Sequence, residues 1–84
     1  SLEEVAEELK AVRDQIVGYA GDPAAADADG LKSRLSEIAA GIETVSGAPV
    51  ADSAAYRAAN LIDGTQEAYA RAAEALTIGL SAAN

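Results

Sequence analysis

Apolar residues recur along this chain with a helical period, and three stretches carry it. From Leu2 to Tyr19 the positions Leu2, Val5, Leu9, Val12, Ile16 and Tyr19 step alternately by three and four, which places them on one face of a helix. Ser1 supplies an N-cap, with Glu4 three residues on as its reciprocal capping-box partner. Glu3, Glu7 and Glu8 stand where the positive end of the helix favours anions. Lys10 and Asp14, four apart, share the wet face, and Gly21 is a stop. The spacing predicts a helix over about 2–20.

A second stripe follows in Ala24, Ala28, Leu31, Leu35, Ile38, Ile42 and Val45, again stepping by four and three. Asp22-Pro23 reads as an N-cap followed by proline in the first helical position, so this helix is predicted over about 23–46. An alternative boundary leaves Asp22 to Gly30 as a loop capped by Asp29. Gly30 and Gly41 inside the stripe mark either a weak stretch or a neighbour passing close. Gly47-Ala48-Pro49-Val50 is the clearest break in the chain, and Asp52 or Ser53 caps what comes next. The third stripe, Ala55, Ala58, Ile62, Gln66, Tyr69, Ala73, Leu76 and Leu80, predicts one helix over about 54–81. Off that stripe, Tyr56 and Ile78 point to the opposite side and Leu61 lies on its flank.

Three helical stripes predict a single all-α domain over 1–84, a small up-down-up three-helix bundle. If the chain merely kinks near Gly21 to Pro23, the same pattern becomes a hairpin of two long helices about Gly47 to Pro49, and such a hairpin dimerises into a four-helix bundle to cover its stripe. Composition adds a reason to associate. Half of the 84 residues are hydrophobic, but 22 of them are Ala, against 7 Leu, 5 Ile and 5 Val, so the core is thin and gains from burial against another chain.

The charge balance, 6 Lys plus Arg against 14 Asp plus Glu, gives −8 and argues against nucleic acid and anionic membranes, both of which want clustered cations. No apolar run approaches the ~20 residues of a membrane span, so membrane insertion is not expected. The start Ser1-Leu2-Glu3-Glu4 is acidic where a cleavable signal peptide is basic and then apolar. The expected compartment is the cytoplasm, or the exterior by a route without a cleavable signal peptide. Absence of His and Cys removes imidazole and thiolate chemistry, zinc sites and disulfide frameworks, and no cofactor is expected.

Three motifs invite chemistry and fall short of it. Asp27-Ala28-Asp29-Gly30 has the alternating carboxylates of a calcium loop, but with Gly30 sixth the first position is Ala25 and the twelfth Ser36, so the opening and closing carboxylates are missing. Glu3/Glu7 and Glu4/Glu8 are carboxylate pairs one turn apart, a pattern that a solvated helix start also explains. Asp52-Ser53 is similar to the arm-bearing motif of acyl carrier proteins, yet Ala54 stands where that motif has Leu, and helix capping accounts for the pair. Of the three tyrosines, Tyr19 and Tyr69 lie on stripes and are expected in the core.

Around its central turn the chain resembles the WXG family, small secreted helical hairpins of actinobacteria and their relatives. Val45-Ser46-Gly47 occupies the midpoint where that family has Trp-x-Gly, and Ser53-Ala54-Ala55-Tyr56 is similar to the start of its second helix. Val45 replaces the Trp, and neither Tyr56 nor Tyr69 has the acidic residue four positions on that marks the family's export signal. The resemblance spans about 35–80 and implies dimerisation, with export through a specialised secretion system or service as a delivery or partner protein. The residues themselves point to a non-enzymatic, acidic interaction or assembly module with a protein partner, a second copy included. Its expected contacts are Tyr56, Leu61 and Ile78, with whatever part of Leu31, Leu35, Ile38 and Ile42 the first helix leaves uncovered.

Overall fold

Four α-helices and one short 3-10 turn make up the described part of the chain, residues 1–47 and 53–82 of a computed structural model, and no strand occurs among them. The predicted break at Ala48, Pro49 and Val50 and the candidate cap Asp52 lie outside these residues. Helix α1 covers Leu2–Gly21, where Ser1 Oγ accepts the Glu4 N–H at 3.3 Å, the forward half of the expected capping box. Its 20 residues amount to about 30 Å at 1.5 Å each, nearly the 35 Å length of the molecule.

The chain then turns back on itself, so the long kinked hairpin does not form. Asp22 leaves the helical region at φ −151°, and Pro23–Ala25 makes the 3-10 turn with the proline at its start. Helix α2, Ala28–Ser46, begins five residues later than the Asp22-Pro23 signal predicts. Its cap is Asp27, neither Asp22 nor Asp29: the Asp27 carboxylate accepts the Gly30 N–H at 3.0 Å. Gly30 is there for that cap, because a Cβ would sit 2.5 Å from Asp27 Oδ2, whereas Gly41 has open space beside it. Gly47, left-handed at φ +76°, ends α2 at the predicted place by donating its N–H to the Glu43 carbonyl.

The predicted third helix is two helices, α3 over Ala54–Leu61 and α4 over Gln66–Ala82. Ser53 caps α3, its hydroxyl accepting the Tyr56 N–H at 3.0 Å. Ile62 departs into extended backbone, and Gly64 takes φ +88°, a conformation that an L side chain resists. Between and beyond them the turn is fastened by polar side chains. One Asp63 carboxylate oxygen accepts both the N–H and the hydroxyl of Thr65, at 2.9 and 2.6 Å, while Thr65 Oγ1 in turn accepts the Ala68 N–H at 3.2 Å and so caps α4. Those bonds, the Thr65 hydroxyl first, hold the Asp63 carboxyl below its ordinary 3.8. A continuous helix would forfeit this local network, and Asp63-Gly64 is a strong enough turn former to outweigh the stripe running through it.

Helix direction follows from the cross-contacts. Arg13 Nη1 donates to Thr77 Oγ1 at 3.1 Å, and the Tyr19 and Tyr69 rings lie 6.1 Å apart and tilted by 55°, so α4 descends as α1 rises. Asp14, on the wet face with Lys10, is held by Arg13 at 2.7 Å. The most extensive packing is α1 on α4, followed by α4 on α3 and α3 on α2, with α1 on α2 more sparsely. The core is built from Leu9, Val12 and Ile16 of α1, Leu35 and Ile38 of α2, the alanines of α3, and Tyr69, Ala72 and Leu76 of α4. Small residues let α3 and α4 close up: a Cβ built on Gly79 would run into Ala54 Cβ. Among the described residues no buried side-chain polar atom lacks a hydrogen-bond partner, and no helix is long and apolar enough to cross a membrane.

Candidate functional site

All three predicted stripes overrun the core at the same end of the molecule. In α1 the stripe is buried from Leu9 to Ile16, but Val5 is half-buried and Leu2 is 54% exposed. In α2 it is buried from Leu31 to Ile38, then half-buried at Ile42 and 50% exposed at Val45. In α4 Leu76 is buried and Leu80 half-buried. Because α1 runs opposite to α4 and its first turns meet Ile42 of α2, these loose ends coincide. They form an open groove of about 820 Å³ whose apolar lining includes Leu2, Val5, Leu9, Ile42 and Leu80.

Charge is distributed along the groove with a direction. Glu3 and Glu7 line it on the first two turns of α1, and Lys10, Arg13 and Arg57 line it further in. Three of the chain's six cations are therefore here, and the described lining carries +1, against −8 on the other described residues. Arg13 is fixed at the rim by its bonds to Asp14 and Thr77. Two of the hydroxyls that line the groove are engaged locally: Ser53 Oγ accepts from Tyr56 N–H, and Thr77 Oγ1 accepts from Arg13 while donating to the Ala73 carbonyl at 3.0 Å. Such a surface takes up apolar side chains and pairs charges at its edge.

The predicted contact residues are dispersed. Leu31, Leu35 and Ile38 are 7%, 0% and 4% exposed, so the intramolecular core consumes the part of the α2 stripe that the sequence offered for contact, and only Ile42 of that set lines the groove. The reason is that α2 packs on α3 as well as on α1, so its stripe joins one core with the alanines of α3 and the aliphatics of α1. Tyr56, expected to point away from the core, is half-buried against it. Leu61 and Ile78 are exposed, at 39% and 60%, and neither lines the groove. Sequence reasoning missed Leu2, Val5 and Leu80 as surface because their place on a stripe assigns them to the core. The signal that could have found them is that the α1 stripe begins, and the α2 and α4 stripes end, in large aliphatics. Ser53, 9% exposed and spent on capping α3, presents no hydroxyl for an arm, and Asp27 is spent on the cap of α2. Among the described residues no group of three carboxylates could hold a metal ion.

No protein-family model, curated protein or solved structure matches this chain.

Proposed function

We propose that the chain is a non-catalytic helical interaction module, an up-down bundle in which α3 and α4 together take the place of a third helix, and that it docks a protein partner in the groove walled by α1, α3 and α4 with Ile42 of α2 at its edge. The observation that carries this is the convergence of three stripe ends on one surface. Isolated exposed aliphatics are ordinary, but Leu2, Val5, Ile42 and Leu80 drawn together in one depression form a patch that a contact would cover. The depression runs along α1 from Leu2 to Arg13, which is about 16 Å or three helical turns, the reach of one amphipathic helix with anchors at i, i+3 or i+4, and i+7. The mixed charges at its rim supply orientation and selectivity, and the small core gains from the added burial.

A photo-crosslinking residue placed at position 80 tests this. Irradiated in the purified protein and in extract of the source cells, it should give adducts that map to the groove, while the same group at exposed position 33 should not. Equal labelling from the two positions would refute the assignment.

A further inference from the structure

We infer that the occupant of the groove is a second copy of this chain, joined across a two-fold axis that lays α1 antiparallel on α1 of its mate. This rests on the groove being a contact surface and adds who fills it. The lining charges of α1 fall in order, acidic at Glu3 and Glu7 and basic at Lys10 and Arg13. A helix carrying that order is complementary to itself when reversed. An axis passing near residues 8 and 9 brings the acidic turns of each copy onto the basic turns of the other, Glu3 towards Arg13 and Glu7 towards Lys10, and every pairing occurs twice, as a two-fold contact requires. A parallel arrangement would set Glu against Glu. A uniformly acidic partner would satisfy Lys10 and Arg13 but face Glu3 and Glu7 unfavourably, and a basic one would fail at the other end.

The rest of the molecule sharpens the choice. The described residues outside the groove carry −8, so two copies that bring those surfaces together meet like-charge repulsion. The groove is where that repulsion is locally reversed, and it is also where Leu2, Val5, Ile42 and Leu80 wait for cover. Leu2 and Val5 of one copy then meet the groove of the other, next to Arg57 on its far wall. The rim is partly set in advance, because Arg13 is already held by Asp14 and Thr77 and does not have to be ordered on contact.

Sedimentation equilibrium over a concentration series tests the pairing with charge reversal. The natural chain should dimerise. Glu3→Lys/Glu7→Lys and Lys10→Glu/Arg13→Glu should each weaken self-association by about tenfold or more, since attractive pairs become like-charged ones. An equimolar mixture of the two variants should recover a dimer as tight as the natural one, and the fourfold swap should dimerise alone, which separates loss of pairing from loss of fold. A natural chain that stays monomeric at the highest concentration reached would overturn the inference, as would reversal variants that dimerise unchanged. Against such a result, groove-mapped adducts from position 80 onto another protein would leave the docking function standing, and their absence would remove both.

Discussion

Replacing Gly79 with Ala sets two well-measured effects against each other. Gly79 lies inside α4, and an interior Gly is worse than Ala by about 0.5–1 kcal/mol, so the substitution taken alone is stabilising. The structure reverses the sign. The new methyl would collide with Ala54 Cβ, which is fixed to the backbone of α3 and has no torsion by which to retreat, so the two helices must part. Overpacking of this kind costs about 1–3 kcal/mol. The net expectation is a loss of about 1 kcal/mol, or roughly 4–8 °C in Tm for a domain this small. Gly18→Ala and Gly41→Ala are the controls, since nothing lies within 4 Å of either position, and each should raise Tm through the same propensity term. Differential scanning calorimetry of the three variants reads the contrast directly. Adding Ala54→Gly to Gly79→Ala should restore most of the loss, giving a coupling of about 1 kcal/mol or more in the double-mutant cycle. If Gly79→Ala stabilises to the same degree as Gly18→Ala, the close approach of α3 and α4 described above is wrong.

Other expectations concern the core, the caps and acid. Leu35→Ala removes a fully buried side chain and should cost about 2–5 kcal/mol, a large part of the stability of a domain this size, read as a collapse of the urea midpoint; a shift near zero would contradict its burial. Thr65→Ala takes away the acceptor for the Ala68 N–H and the donor to Asp63, with an expected loss of about 1 kcal/mol by chemical denaturation. Because the Thr65 bonds lower the Asp63 carboxyl below 3.8, the stability they provide is present above that pH and is lost as pH falls through the depressed value. The Tm gap between the natural chain and Thr65→Ala should accordingly narrow below pH 3.8 and stay constant above it, and a gap that widens in acid would invert the assignment.

What was legible in the sequence was what is decided locally. The all-helical class, the span of α1, the cap at Ser1 and the stop at Gly47 each depend on a few neighbouring residues, and the structure has them all, with Ser53 as the cap of α3 where the sequence offered Asp52 or Ser53. The break at 62–65 was hidden because Ile62, Gln66 and Tyr69 keep the four-three spacing across it, so periodicity saw one helix where Asp63-Gly64-Thr65 makes two. Asp22-Pro23 misled in the opposite way, since a sound start signal opens only a short turn and Asp27 wins the cap of α2. The candidate site was less legible still. Whether a stripe residue is core or surface depends on which helix lies over it, and no spacing rule says that Leu35 is covered while Leu2 and Leu80 are left at the rim.

That the earliest helix is packed chiefly against the latest has a kinetic corollary. The α3–α4 turn spans a few residues and closes at little entropic expense, whereas bringing Ile16 against α4 means closing a loop of roughly fifty residues, a slower and less probable event. Folding should therefore be gated by the meeting of these two distant segments. A fragment lacking α4 would leave the inner face of α1 bare and, during synthesis, that face must wait until α4 has emerged.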